Sequence, residues 1–570
     1  MTRLCCFLFF VMLVSLSFRA PAPTTYPQDL FIPPVKGQML LSGTFGELRP
    51  NHFHGGIDIK GGIGVPLYAV AEGYVSRIKI SAGGYGQALY INHPSGYTSV
   101  YGHMDELAPE LAEYVRSEQY ARQQFALDLK LEPEQFVFAQ GEQVGTMGTK
   151  GRSFGPHLHF EIRETTTQRP INPLLFGLEV KDTRAPRINE LRVYELNHQR
   201  ETERARSFNT VSKGRGYGVS GDTIRVGSPY LGLALKTYDH MDNVRNWNGV
   251  YQIVMAVDDS VVYDFLAEDF SFEQDRYMNA HIDYEEQVTK KSYFNRSYRL
   301  PGNQLDMYQK MINNGVIQLR PGVSKKINYW VSDVAGNTKK MTCWVKYDPS
   351  IKTPSGQTFN YLLPYDEPNR IETASFYFHL PEGTLYENLY FQYLMSEDRS
   401  SDMLSSVHHL HKPKVPLHKY AELGIRPQLR LDSLQRQRAI IAHCNKDNVI
   451  TSYGGEWQDG MLVTKVRTLG DFSIMLDETP PNVTAKSFRK DLRGRKTFSF
   501  TITDNFPTGG YASGLLYEAT IDGQWILMEY DAKNDLIFHR FDGSIEPGEH
   551  QLRLVVTDDV GNQTVVERGF

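Results

Sequence analysis

The stretch GPHLHFEIR, residues 155–163, decides how the first third of this chain folds. After a glycine and a proline it alternates polar and apolar residues, and a β-strand sends such neighbours to opposite faces. His157 and His159 therefore point the same way, with Leu158 and Phe160 packing behind them. Upstream, HFHGGIDIK (residues 52–60) places His54 and Asp58 four apart. In an extended stretch both project to one side while Ile57 and Ile59 take the other. Alone, HxxxD is a common accident, and HxH in a strand is more often a surface pair or a satisfied core histidine. Together, with His103 following Tyr-Gly in YGHM (residues 101–104), they point to one metal site. His54, Asp58 and His159 supply three neutral or anionic ligands, the open tetrahedral set of a catalytic zinc with its fourth position left for water. His103, at the end of an expected strand, and His157 are placed to reach that water.

Around these motifs, residues 37–176 are short apolar runs punctuated by glycine, the pattern of strands with tight turns. One interruption, about residues 106–135, is rich in Ala, Leu, Glu and Gln. Its Leu107, Leu111, Tyr114 and Val115 fall at helical spacing, so a helical insertion in a β domain is expected. Beyond it the chain repeats its punctuation. DTRAPRI (residues 182–188) is echoed by DETPPNV (residues 477–483), each with Pro four residues after Asp. The sequence DVAGN from Asp333 is echoed by DVGN after Asp558, and an Asp-x-x-Gly-Asn turn between β-rich runs suits a hairpin. These marks delimit two Ig-like β-sandwiches, at 182–350 and 477–570. Residues 351–476 make a β domain of uncertain type, in which ENLYFQY belongs to a native strand pattern. The expected class is all-β: a sheet domain (23–181) that carries the histidine motifs, followed by about three sandwich-like domains.

Composition supports a folded, exported protein. Of 570 residues, 41% are hydrophobic and 12% aromatic, which suits several β cores. The 61 basic side chains are outnumbered by 66 acidic ones, so no global positive field exists to hold a phosphate backbone, and nucleic acid is not an expected partner. Residues 1–22 have the form of a secretory signal: Arg3, an apolar run from Leu4 to Phe18, then a Pro-rich stretch. No later run approaches the ~20 apolar residues that spanning needs, so no transmembrane span is expected after signal removal. Cys5 and Cys6 leave with the signal; Cys343 and Cys444 fall in different expected domains. VHHLHKP, with His408, His409 and His411, is taken as a solvated loop, and RKDLRGRK (residues 489–496) as a charged hairpin or loop. Most of the five tryptophans are expected in the sandwich cores.

The first domain resembles the lysostaphin/LytM-type zinc metallopeptidases, which cut peptide cross-links of bacterial cell wall. The matching residues are HGGID (54–58), AVAEGYV (69–75), YGH (101–103), GEQVGTMGTKGRSFGPHLHFEIR (141–163) and INP (171–173). The resemblance implies a small twisted sheet with an open groove, zinc on His54, Asp58 and His159, and His103 and His157 as the catalytic pair. It departs in the longer stretch after His103, and no residue matches the family's further transition-state stabiliser upstream of His54. Arg49, Asn51 and His52 are the candidates; His52 and His93 are otherwise unassigned.

The expected function is an exported zinc endopeptidase, in the periplasm, cell envelope or extracellular space, acting on peptidoglycan peptides. Its later domains position or restrain it and offer surfaces to envelope proteins. Two other readings are an inactive LytM-type activator of a separate wall hydrolase, which usually lacks some of the five residues present here, and an envelope adhesion or scaffold protein.

Overall fold

The computed structural model describes residues 26–353, 358–397, 402–444 and 449–570. The expected signal at 1–22, with Cys5 and Cys6, lies outside the described residues. The chain is built almost wholly of strands, gathered round successive hydrophobic cores.

The first core is covered by a sheet whose main strands are β1 (Leu41–Gly43), β2 (Ile57–Lys60), β3 (Gly73–Ile80), β4 (Gln87–Asn92), β5 (Tyr97–Gly102), β6 (Leu127–Lys130) and β7 (His157–Glu164). Their spatial order is β1-β2-β7-β5-β4-β3-β6. The strand carrying the two histidines thus lies inside the sheet, antiparallel to both neighbours. Its register sets His159 opposite Asp58 on one side and opposite Gly102 on the other. Ile57, Ile59, Leu158, Phe160 and Ile162 alternate onto the buried face. β2 comes so close to β7 that a Cβ on Gly56 would sit 2.3 Å from the Phe160 carbonyl oxygen, so only glycine fits there.

The insertion differs from the expected helix. Leu107 ends a strand, Met104–Leu107, and the helix α1 runs from Pro109 to Arg122 with Leu111, Val115 and Gln119 buried. The chain then returns as β6 and adds an edge strand beside β3. Proline at the first helical turn and Gln123 in the left-handed region delimit the helix; the alternating LDLK that follows is a strand period the helical reading absorbed.

The second core joins Phe45 and Phe53, from the turn that precedes His54, to Ile188, Leu233, Phe265, Phe270 and Val345. This module contains β8 (Tyr230–Tyr238) and the hairpin β9 (Ser324–Ser332) to β10 (Thr338–Tyr347). The third core lies under residues 361–476. There VHHL is not a solvated loop: Val407–Leu410 forms β11, with His408 fully buried and stacked on Phe376. His409 bonds Asp471 at 2.8 Å. The last module packs two four-stranded sheets around Phe498, Phe500, Ile537, Leu554 and Val556, and includes β12 (Thr497–Thr503), β13 (Gln551–Thr557) and β14 (Gln563–Gly569).

In both repeated modules the opening and closing marks touch. The Asn337 side chain donates to the Asp182 carbonyl at 3.2 Å, and Asn562 donates to the Asp477 carbonyl at 2.9 Å. None of the five tryptophans is a core residue. Trp247 and Trp344 are exposed and the others are half-buried, with Trp330 on the interior strand β9 beside Lys340 and Trp525 edge-on to Tyr120 of α1. No disulfide joins Cys343 to Cys444. No helix among the described residues is long and apolar enough to cross a membrane.

Candidate metal centre

Asp58 is the hub of the site. Its Oδ1 lies 3.0 Å from His54 Nε2 and 3.0 Å from His159 Nδ1, and those two nitrogens are 2.9 Å apart. All three residues are buried. His157 Nε2 stands 3.5 Å from the same oxygen, and the rings of His103 and His157 are 4.7 Å apart. The register above produces this convergence, while His103 enters by a left-handed turn (φ 59°) directly after β5. The fold therefore brings His54, Asp58, His103, His157 and His159 into one cluster.

Each histidine has one ring nitrogen tied to an acceptor, which fixes its tautomer. His54 Nδ1 donates to the Thr44 carbonyl at 2.8 Å, so Nε2 faces Asp58 without a proton. His103 Nδ1 donates to the Lys150 carbonyl and His157 Nδ1 to the Gly155 carbonyl, both at 2.8 Å. His159 is held the other way round: Nε2 donates to Glu161 Oε1 at 2.7 Å, and Nδ1 turns to the centre. Glu161 is itself fixed by Arg163 at 2.6 Å and by the hydroxyl of Tyr85, whose ring stacks on His159.

The electrostatics follow from burial opposed by charge. Burial pushes His54 down to about 4, and burial together with the neighbouring His159 and His157 pushes His103 down to about 3. Burial would lower His159 too, but Asp58 and Glu161 on its two nitrogens outweigh it and raise the ring to about 9. Asp58 is driven well below the usual carboxylate range, because His54, His157 and His159 overcome its desolvation.

Two imidazole nitrogens and one carboxylate oxygen suit zinc, with a carboxylate behind His159 as an outer anchor. Ligands at 2.0–2.1 Å around a tetrahedral zinc lie roughly 3.3 Å apart, close to the spacings here. His54, Asp58 and His159 can thus hold a metal ion.

Of the upstream candidates, Arg49 reaches the site: its Nη2 bonds Asp58 Oδ2 at 2.6 Å. That pair fills the space where a Cβ on Gly43 would go. Asn51 instead accepts from Asn279, and the exposed His52 bonds the Pro50 carbonyl. His93 is a satisfied core histidine, bonded to the Glu72 carbonyl and Ser99. Tyr85, Glu161 and Arg163 were not singled out from sequence. The alternation that aligns His157 with His159 continues to Glu161 and Arg163 and marks both; nothing local marks Tyr85.

Residues 52–123 and 117–173 match the model of peptidase family M23, and 119 residues are 31% identical to lipoprotein NlpD of Yersinia enterocolitica, covering 21% of this chain and 96% of that protein. The chain belongs to peptidase family M23. Its M23 domain is also 33% identical over 125 residues to the DD-carboxypeptidase/endopeptidase Mpg of Neisseria meningitidis, covering 22% of this chain and 23% of that protein. A further M23 match is the murein hydrolase activator NlpD of Escherichia coli, 29% identical over 153 residues, 27% of this chain and 32% of that one. The match thus spans under a quarter of the Neisseria relative's length. Outside the M23 domain, residues 360–477 match the model of a Zu5-like domain.

Proposed function

We propose that this chain is a zinc-dependent endopeptidase hydrolysing peptide bonds in peptidoglycan stem peptides or their cross-bridges, exported to the cell envelope. The supporting observation is the set of four histidines, each anchored at one nitrogen, gathered about the single carboxylate of Asp58. Membership of family M23 and the name of the Neisseria relative point the same way. His54, Asp58 and His159 would hold the zinc, which supplies Lewis acidity to the scissile carbonyl and brings the pKa of a water from 15.7 to about 7. His103 is neutral at physiological pH, and its Nδ1 bond to Lys150 leaves Nε2 to take or return a proton. His157 stands beside it, its Nδ1 tied to Gly155, so that its Nε2, once it has taken up a proton, can donate to the oxyanion or pass that proton to the leaving amine. Arg49 holds Asp58 ionised and in place.

A second reading, an activator of a separate wall hydrolase, is favoured by one observation: the Escherichia coli relative is named as such. Digestion of purified cell wall separates the two. The wild type releases cleaved muropeptides detectable by mass spectrometry, while His103→Ala and His159→Ala release none and only His103→Ala retains zinc. Zinc-loaded wild type that cleaves no wall type would establish the activator.

A further inference from the structure

Two clusters of carboxylates away from the M23 site occupy equivalent places in the two repeated modules. In the first, Asp182, Asp239 and Asp333 each offer an oxygen within 4.8 Å of the others, and in the second Asp477, Asp504 and Asp558 do the same. The correspondence is positional. Asp182 and Asp477 open their modules four residues before a proline; Asp239 and Asp504 directly follow β8 and β12; Asp333 and Asp558 begin the turns β9 to β10 and β13 to β14. The fold has therefore assembled the same three-carboxylate set twice from residues far apart in sequence.

Crowded acids alone would not indicate a ligand. Here four of the six carboxylates each keep one oxygen that is buried and lacks a partner. Asp239, 1% exposed, has an Oδ1 with no hydrogen bond, and Asp477, 0% exposed, has an orphaned Oδ2. Asp182 Oδ2 and Asp504 Oδ1 are orphaned as well. Beside Asp239, the fully buried Asn248 pairs with it across a β-bridge, and neither atom of its side-chain amide has a partner. None of the six carboxylates forms an ion pair with a described lysine, arginine or histidine. The nearby Arg184 turns its guanidinium to the Met241 carbonyl at 3.3 Å. Buried like charges without a counterion are costly, and the usual remedies are a shared proton or a bound cation. Burial and the neighbouring acids raise Asp239 to about 8 and Asp504 to about 7.

We propose that each triad is a calcium site. Three hard carboxylate oxygens, with an amide oxygen such as Asn248 Oδ1 and water, suit a calcium ion, which takes six to eight oxygens in flexible geometry. Zinc prefers nitrogen and sulfur, and magnesium keeps most of its water. Each ion would tie the entry of a module to a strand end and to the closing hairpin. One does so where the M23 domain ends. The other does so where residues 360–477 meet the last module, whose Asp559 bonds Ser452 across the junction at 2.7 Å.

The test is calorimetric titration of the chelator-stripped full-length chain with calcium chloride, with and without one equivalent of zinc, and with magnesium as the control. Two calcium ions per chain are expected in both conditions, one in Asp239→Asn, one in Asp504→Asn and none in the double variant. Calcium should also raise the Tm of the wild type, and not that of the double variant. If a variant does not fold, Asp182→Asn or Asp477→Asn addresses the same triad. No calcium uptake at millimolar concentrations, or uptake undiminished in the double variant, overturns the proposal.

Discussion

His159 donates from Nε2 to Glu161 across 2.7 Å, and Arg163 holds the same carboxylate at 2.6 Å from the far side. The ring whose Nδ1 faces Asp58 and His54 is thus aimed by a buried ion pair two and four residues along its own strand. Glu161→Gln removes the charge but keeps the shape. Zinc affinity should fall about 10–100-fold, measured by competition with a chromophoric chelator. An unchanged affinity would show that Glu161 serves packing alone.

The same contact makes zinc uptake pH-dependent. In the metal-free chain His159 is raised to about 9 from an ordinary value of 6.5, so its contribution to stability is complete below pH 6.5 and is lost as pH rises through 9. A ligand nitrogen must shed its proton, so zinc binding near pH 7.5 should release about one proton from His159. Calorimetry in two buffers of different ionisation enthalpy should detect that release and find it gone well above pH 9.

Phe53 connects the centre to the neighbouring module. It is buried against Phe270 and its amide donates to Asp275 at 2.5 Å, one residue before His54. Phe53→Ala should destabilise the protein by about 3–5 kcal/mol in urea unfolding and lower zinc retention. Full retention with that loss of stability would uncouple the turn from the site.

Asn337 and Asn562 close their modules by the same bonds, to an aspartate side chain and to the carbonyl of the opening aspartate. Either asparagine replaced by alanine leaves buried acceptors unpaired and should cost about 1–3 kcal/mol. The two sites share no partner, so the double variant should show the sum, checked by thermal unfolding.

The centre was legible because strand alternation is a local rule: His157 and His159 declare their shared face, and His54 and Asp58 theirs. Only pairing register brings the two together, and the apolar alternation of Ile57, Ile59, Leu158 and Phe160 specifies that register. Tyr85 was illegible, since its place over His159 depends on a turn between β3 and β4 with no metal-binding pattern. His408 was misjudged because a strand of four residues flanked by serines and lysines looks like a loop until Phe376 and Tyr393 stack around it. The tryptophans depart from the core expectation because size favours burial, whereas here Trp330 and Trp344 take outward positions even on strands paired on both sides.

A chain emerging from its amino terminus reaches Phe45 and Phe53 early, yet the rings that pack directly on them, Phe270 and His281, belong to the neighbouring module far downstream. Until that later stretch has been synthesised and folded, the turn bearing His54 has no seat. The nascent polypeptide should carry a blunt, unfinished centre through much of its own production, and sharpen only when the neighbouring module closes around it.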